Sequence, residues 1–258
     1  MQMTLRAMLL SILLSLCVTG AARAEIRILA PPVVSNAGLK EIAAAFTQKT
    51  GIAVAVRSLE LLKIPENVTA EPTDIVFLTH SLMDGLAKAS SVKRESITGV
   101  GRVNIGLAVR AGAPHPDIST PEKLIAALRA SKGVVYSNPD PARGSLGAAL
   151  IDRLLKRPDF AGVHGVISSK GNGASGLING EGDSALQFES EILPHKEIEL
   201  VGSLPQELGA YVDISVAIAA NASAATEAQT FIKFITSPEN ASLWTAGGLS
   251  PSAYAAAR

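Results

Sequence analysis

Residues 26–54 read IRILAPPVVSNAGLKEIAAAFTQKTGIAV, and this stretch contains a strand, a helix and a second strand. The run Ile26–Ala30 is short, apolar and rich in β-branched residues, and the two prolines after it end the strand. Apolar residues then recur at helical spacing over residues 36–50, and Gly51 is typical of the end of a helix. Residues 52–56 are again apolar and predict the second strand.

The rest of the chain continues the alternation of strands and helices. Residues 74–78 (DIVFL) are too uniformly apolar for a half-exposed strand, so they predict a buried parallel strand. Further strands are expected at residues 103–109, 134–137, 184–188, 198–200 and 211–220. Further helices are expected at residues 82–88, 121–132, 144–156, 171–178 and 238–246. This order of elements predicts an α/β fold with doubly wound sheets.

The first 24 residues have the layout of a secretory signal peptide. A short segment with Arg6 precedes an apolar run, and the stretch ends in an A-x-A pattern at Ala24. We therefore expect cleavage after Ala24 and a periplasmic mature chain. Leu16 precedes Cys17 where a lipidated cysteine normally follows a small residue, so we expect no lipid anchor. A buried N-terminal helix is the alternative interpretation of residues 1–24.

The composition of the mature chain argues against several classes of partner. Without Arg6 and Arg23, 21 of the 23 basic residues remain against 23 acidic residues. The mature chain therefore has no net positive charge that would favour nucleic acid or an anionic membrane as a partner. The single cysteine lies in the predicted leader, so we expect neither disulfides nor thiol chemistry in the mature protein. After the leader, no apolar run approaches the length of a membrane span.

Sequence motifs for hydrolysis, nucleotide hydrolysis and metal binding are missing. No G-x-S-x-G, H-E-x-x-H or G-x-x-x-x-G-K-[ST] pattern occurs. The four histidines stand singly, so we expect no metal site, and we expect no cofactor. Residues 171–176 (GNGASG) match G-x-G-x-x-G, but too few residues follow before the next strand for the helix that a dinucleotide fingerprint requires. We interpret this loop as a turn whose backbone amides can still face a ligand.

Two strand-to-helix junctions are candidates for an anion site. In open α/β sheets, ligands bind beyond the carboxyl ends of the strands, where helix N-termini present free N–H groups. The first junction, residues 31–35, ends at Ser35. The second contains Arg143, Gly144 and Ser145, whose small residues let an anion approach the backbone while the guanidinium adds a bidentate contact. The alternative is that Arg143 points into solvent and Ser145 only caps the helix.

A third candidate segment follows the strand predicted at residues 184–188. It reads QFESE over residues 187–191, and its polar side chains, among them Gln187 and Glu189, can meet a ligand at the end of the strand. The alternative interpretation is a loop whose charged groups are solvated.

Several segments together carry a family resemblance. Besides residues 26–54, they are TDIVFL (73–78), VVYSNPDPARGSLGAALIDRLL (134–155), ALQFESEILP (185–194), IELVGSLP (198–205) and FIKFITSPENASLW (231–244). They resemble the periplasmic molybdate-binding protein family, of which this chain is identified as a divergent member. The members are solute receptors of ABC importers with the type II periplasmic binding-protein fold.

The resemblance implies two α/β lobes whose mixed sheets are joined by two crossover strands. The chain is expected to form the first lobe with residues 25–105, the second with 106–210, and to return to the first with 211–258. The crossovers are expected near residues 101–109 and 209–216, where glycines stand beside long strands.

The resemblance also implies where a ligand binds. The family holds its tetrahedral oxyanion with hydroxyls after the first strand and in the next loop, and with backbone amides and a tyrosine of the second lobe. In this sequence the first serine position falls at about Val33, near Ser35, and the next loop keeps only Ser58. The tyrosine position falls near Phe188 and Glu189, and a buried carboxylate there would repel a dianion.

The leading prediction is an extracytoplasmic solute-binding protein of an ABC-type importer. It is expected to be a monomer without enzymatic activity that closes on a small anionic solute and docks transiently with a membrane permease. The ligand is either a molybdate-like oxyanion or an organic acid paired with Arg143, and the departures from the family pattern favour the organic acid. Two alternatives stay open, a periplasmic enzyme with Glu189 or a histidine as base and a sensory subunit for a membrane signalling protein.

Overall fold

The computed structural model describes residues 25–143 and 145–250 of the chain. The strands are β1 Ile26–Ala30, β2 Val54–Ser58, β3 Ile75–Thr79, β4 Thr98–Arg110, β5 Val134–Tyr136, β6 Gly165–Ile167, β7 Ser184–Phe188, β8 Ile198–Ser203, β9 Tyr211–Ile218 and β10 Leu249–Ser250. The α-helices are α1 Pro32–Val34, α2 Lys40–Thr50, α3 Ile64–Asn67, α4 His80–Lys88, α5 Pro121–Ala130, α6 Leu146–Leu155, α7 Gly173–Ile178, α8 Glu189–Ile192, α9 Ala225–Ile235 and α10 Ala241–Ala246.

The strands form a mixed sheet in two parts that share β4. The first part has the order β2-β1-β3-β9-β4, with β1 parallel to β2 and β3. The second has the order β4-β7-β5-β6, with β5 parallel to both its neighbours. Residues 98–104 of β4 pair with β9, whereas residues 105–110 pair with β7 and β8. The predicted α/β fold with doubly wound mixed sheets is confirmed.

Most elements differ from the sequence prediction by a few residues at their boundaries, and for two of them, β4 and α2, the structure gives the reason. Strand β4 begins at Thr98, before the predicted start, and its register shifts between Gly99 and Gly101, which interrupts the apolar pattern there. Helix α2 begins at Lys40 and not at residue 36, because Gly38 has a φ of 103° and breaks the helix. A Cβ at Gly38 would also lie 2.9 Å from the carbonyl oxygen of Leu243, so the chain needs glycine at this kink.

Helix α9 and strand β6 were not predicted. Strand β6 is only three residues long, which is too short for a periodic pattern. Helix α9 lacks a side-chain cap from its own N-terminal residue, Ala224, so the usual start signal is missing. The cap comes from Asp74, a residue 150 positions away, which accepts the Ala224 N–H at 3.1 Å.

The first part of the sheet is covered by helices α2 and α9. Phe46 of α2 is fully buried and meets the ring of Phe231 of α9 edge to face, with 5.0 Å between the ring centroids. All five side chains of β3 are buried, as predicted, but the strand is parallel only to β1 and runs antiparallel to β9. No helix within residues 25–143 and 145–250 combines the length and the hydropathy needed to cross a membrane.

Asp74 ties the first part of the sheet to helix α9. It lies just before β3, is completely buried, and accepts hydrogen bonds from the backbone N–H and the Nε of Arg27 at 2.9 and 3.0 Å. Its other oxygen accepts the backbone N–H groups of Ser223 and Ala224 at 2.8 and 3.1 Å. Burial by itself raises the pKa of Asp74, but these hydrogen bonds and the Arg27 charge outweigh burial and hold the pKa at about 2.

We expect Asp74→Ala to lower the free energy of unfolding by about 2–4 kcal/mol, because it removes the cap of α9 and leaves the backbone N–H groups of Arg27, Ser223 and Ala224 without their acceptor. In the wild-type protein the depressed pKa of Asp74 makes its contribution complete above the unfolded-state value near 3.8 and progressively lost as the pH falls through about 2. Urea denaturation between pH 2 and pH 7 measures both effects.

The matched control for this prediction is Asp117→Ala, which removes an exposed ion pair with Lys123. This variant is expected to keep the wild-type denaturation midpoint at pH 7. An Asp74→Ala midpoint as high as that of the control would contradict the role given to Asp74.

Candidate functional site

A cleft of about 610 Å³ lies beyond the carboxyl ends of four strands. Strands β1 and β2 run parallel in one part of the sheet, and β5 and β7 run parallel in the other, so both pairs end at the cleft. The residues that line it are Pro31, Pro32, Val33, Asn36, Glu60, Leu61, Ser137, Asn138, Arg143, Ser145, Leu146, Gly147, Gly171, Asn172, Ser175, Gln187, Phe188 and Glu191. The cleft is therefore built from both parts of the sheet.

A buried hydrogen bond and a close aromatic contact fix the walls. Ser190 of α8 is fully buried and donates its hydroxyl to the carbonyl oxygen of Val33 at 2.8 Å, which joins the segment after β1 to the segment after β7. The ring of Phe188 packs against Gly147 of α6, where an added Cβ would lie 2.6 Å from the ring. A larger residue at position 147 would displace the ring from the wall.

Three polar groups in the second part of the sheet form a chain that ends at Glu191. Ser137 accepts the backbone N–H of Gly173 at 3.3 Å and donates its hydroxyl to Oε1 of Gln187 at 3.0 Å. With its oxygen engaged by Ser137, Gln187 presents Nε2 to Glu191 and donates to Oε2 of that residue at 2.8 Å. These hydrogen bonds fix the orientation of the Gln187 amide, so that Nε2 and not Oε1 is directed to Glu191.

Opposing effects act on the pKa of the Glu191 carboxyl. Burial raises its pKa, the negative charge of Glu60 raises it further, and the hydrogen bonds from Gln187 and Asn172 lower it, with a result of about 7. No ion pair joins Glu191 to any residue in the part of the chain that the structure describes. At neutral pH this carboxyl is therefore protonated in a large share of molecules, and it can both donate and accept a proton.

Arg143 supplies the positive charge of the cleft. Its side chain is exposed and forms no ion pair with a described residue, so the guanidinium is available to an anion. Ser145 stands next to it as the N-cap of α6 and accepts the N–H of Ala148 at 3.3 Å, which leaves its own hydroxyl proton to donate. Asn172 caps α7 in the same way by accepting the N–H of Ser175 at 2.9 Å.

The structure brings four of the residues proposed from sequence to the cleft wall. They are Val33, Arg143, Ser145 and Gln187, which come from three separate segments of the chain. Gly144 lies outside the described residues. The strand-to-helix junctions and the end of β7 do converge on one place, as expected for an open α/β sheet.

Three other proposed residues are placed away from the cleft wall. Ser35 is buried, and its hydroxyl donates to that of Ser58 at 3.4 Å, so the two serines face each other. Glu189 is buried and accepts a hydrogen bond from Ser203. Burial raises the pKa of Glu189, although the Ser203 bond lowers it. Within segment 187–191 the carboxyl that lines the cleft belongs to Glu191 and not to Glu189, because residues two apart in a helix point in directions that differ by roughly 200°.

Sequence reasoning missed several residues that line the cleft. Glu191 lies within the candidate segment 187–191, but the prediction named Glu189, because the tyrosine position implied by the resemblance falls near Phe188 and Glu189. Asn172 belongs to the GNGASG loop, which was interpreted as a turn whose backbone amides can face a ligand, and its side chain was not named. Ser137 ends a predicted strand, and its position at the carboxyl end was an available signal. Glu60 follows β2 in a segment without any recognisable pattern.

Comparisons with known proteins agree with the fold. A family model described as bacterial extracellular solute-binding protein matches residues 26–250. The sulfate-binding protein SubI from Mycobacterium tuberculosis H37Rv has a TM-score of 0.68 at 19% identity, over 90% of this chain and 89% of that one. The periplasmic molybdate-binding protein of Azotobacter vinelandii has a TM-score of 0.67 at 16% identity, over 88% of this chain and 99% of that one.

One similar protein is named as an enzyme and not as a binding protein. Aconitate isomerase of a Pseudomonas species is 27% identical over 230 residues, which cover 85% of this chain and 87% of the relative. The solved structures share less than 25% identity with this chain, so they establish the type II periplasmic binding-protein fold and not the ligand.

Titration of Glu191 tests the polar arrangement in the cleft. We expect Glu60→Gln to lower the pKa of Glu191, because a negative charge that opposes ionisation is removed. We expect Gln187→Leu to raise the same pKa, because the ionised carboxylate loses a donor. The chemical shift of the ¹³C-labelled glutamate carboxyl, followed by NMR from pH 4 to pH 9, measures both, and wild-type titration in both variants would contradict the arrangement.

Proposed function

The chain belongs to the bacterial extracellular solute-binding protein family, and on that premise we propose that it binds a small organic acid with several carboxylates. The acid occupies the cleft between the two parts of the sheet and is delivered to a membrane ABC permease. The observation that carries the proposal is the composition of the cleft wall, where the guanidinium of Arg143 stands with neutral amides and hydroxyls and with the carboxyls of Glu60 and Glu191.

Charge and size favour an organic acid over a tetrahedral oxyanion. A desolvated tetrahedral dianion needs donors for all its oxygens gathered around one point. A cleft of about 610 Å³ falls in the range that holds small organic molecules, about 300–1,000 Å³. An organic acid can place one carboxylate at Arg143 and direct another part of the molecule to the Glu191 side.

The two parts of the sheet are proposed as the two lobes of the receptor. Residues 25–105 and 211–258 form the first lobe, residues 106–210 form the second, and residues 1–24 are a cleaved leader for export to the periplasm. Ligand contacts from both walls favour the closed arrangement, so binding and closure are one equilibrium. The closed protein is the form that the permease recognises.

We expect trans-aconitate and its saturated analogue tricarballylate to bind the purified protein at pH 6.5, and molybdate, tungstate and sulfate to bind far more weakly. A ligand that binds only the folded state stabilises it by about 2.7 kcal/mol at a concentration of 100 times Kd, so thermal unfolding detects binding. Arg143→Ala is expected to weaken tricarballylate binding roughly ten- to hundredfold, because a charged hydrogen bond is lost.

Arg153→Ala is the matched control, since Arg153 is an exposed arginine of α6 that does not line the cleft. It is expected to bind tricarballylate with the wild-type affinity. Submicromolar binding of molybdate, together with no binding of any organic acid in the panel, would overturn the proposed ligand class.

A second candidate function is isomerisation of an unsaturated tricarboxylic acid. Two observations favour it, the relative named aconitate isomerase and the presence in the cleft of a carboxyl with a pKa near 7. Ionised Glu191 would take a proton from a methylene carbon, the double bond would move by one position, and the proton would return to the carbon at the other end of the allylic unit. The step needs no oxidant and no cofactor.

Proton NMR in D₂O separates the two candidates. An isomerase is expected to interconvert cis- and trans-aconitate with deuterium incorporated at the methylene carbon, and Glu191→Gln is expected to stop conversion while tricarballylate still binds. A receptor is expected to bind trans-aconitate and return it unchanged. Conversion at the wild-type rate in Glu191→Gln would exclude Glu191 as the base.

A further inference from the structure

We propose that Glu191 forms a second anion subsite of the cleft, in which a ligand carboxylate shares a proton with the Glu191 carboxyl, so that ligand and proton bind together. This inference rests on the proposed binding of a polycarboxylic acid and specifies how its second carboxylate is held. It makes Glu191 a specificity-determining residue for acids with at least two carboxylates.

The hydrogen-bond chain below Glu191 determines where the shared proton lies. Because the N–H of Gly173 points to the Ser137 oxygen, the Ser137 proton is directed to Oε1 of Gln187, and Nε2 of Gln187 must donate to Glu191. Oε2 of Glu191 is therefore an acceptor in both protonation states, and the proton of the neutral acid is left to Oε1. A carboxyl fixed in this way can donate to a ligand oxygen in the cleft.

The charges around Glu191 favour its protonated form when an anion arrives. The groups that face it are Glu60 from the segment after β2, Gln187 from β7 and Asn172 from the turn before α7, so the facing charge is negative and the other two groups are neutral. Arg143 lines the same cleft but forms no ion pair with Glu191. A ligand carboxylate beside Glu191 meets no cation other than Arg143 among the lining residues, so the protonated acid can hold it by donating a hydrogen bond, whereas the ionised acid would repel it.

The proton balance is simple. Free protein with an ionised Glu191 takes one proton from the solvent as it binds the ligand, and no covalent bond changes. Below the pKa of the free carboxyl, near 7, the proton is already present and affinity is independent of pH. Above that pKa, each unit of pH lowers the affinity roughly tenfold, because the protonated fraction of Glu191 falls by that factor.

Isothermal titration with tricarballylate measures the linked proton directly. The saturated acid cannot isomerise, so its binding heat contains no turnover. Titrations at pH 6.5, 7.5 and 8.5, each in two buffers of different ionisation enthalpy, give the number of protons taken up with each ligand. For the wild-type protein we expect uptake to rise from a small fraction at pH 6.5 towards one at pH 8.5, with a roughly tenfold loss of affinity between pH 7.5 and 8.5.

Glu191→Gln keeps a neutral donor in place of the protonated acid. It is expected to bind tricarballylate without proton uptake and with the same affinity at pH 7.5 and 8.5. Glu189→Gln is the matched control, because it makes the same exchange in the same helix at a carboxyl that does not line the cleft. It is expected to keep the proton uptake of the wild-type protein.

The possible results separate this inference from the proposed function. Tricarballylate binding at an affinity that does not change with pH, without proton uptake by the wild-type protein, overturns the Glu191 subsite and leaves the organic-acid receptor intact. Proton uptake that persists in Glu191→Gln assigns the linked proton to another group and also overturns the subsite. Absence of binding at every pH overturns the proposed ligand class and this inference with it.

Discussion

Strand β4, Thr98–Arg110, is the constraint on which the rest of the structure depends. Its first half is hydrogen bonded to β9 and its second half to β7 and β8, so one continuous backbone belongs to both parts of the sheet. The parallel strands that end at the cleft, β1 and β2 on one side and β5 and β7 on the other, take their places from this shared strand. The fold thereby brings segments from distant parts of the chain to one site.

The chemistry of that site depends on Arg143 and Glu191, which form no ion pair with each other. Arg143 is an exposed cation without a partner among the described residues, and Glu191 is a carboxyl held by an amide. A pair in direct contact would satisfy itself and leave little for a ligand. In the proposed binding mode, an organic acid engages Arg143 with one carboxylate and shares a proton with Glu191 through another. A receptor and an isomerase would both use this arrangement. They differ in whether Glu191 removes a proton from a carbon atom of the ligand.

Short chains of hydrogen-bonded polar groups hold side chains of the cleft wall in defined positions. Hydrogen bonds of 2.8 to 3.3 Å run from Gly173 to Ser137, from Ser137 to Gln187 and from Gln187 to Glu191, and they link three segments of the chain. Asp74 performs the same task in the first part of the sheet, where its carboxylate joins β1, β3 and the start of α9. Buried polar groups of this kind are stable only when every partner is present, so they hold the walls in one geometry.

The sequence by itself determined the α/β order of elements, the buried strand β3, and the junctions that carry Arg143, Ser145 and Gln187, because these follow from local periodicity and from the rule that ligands bind beyond strand carboxyl ends. It did not reveal where α9 begins, because the cap of that helix is the distant Asp74, although the buried residues of α9 stand at helical spacing. It also did not separate Glu189 from Glu191. That choice depends on where β7 becomes helix α8, since a strand and a helix turn the same side chains in different directions. Tertiary structure alone decided which carboxyl lines the cleft and which faces Ser203.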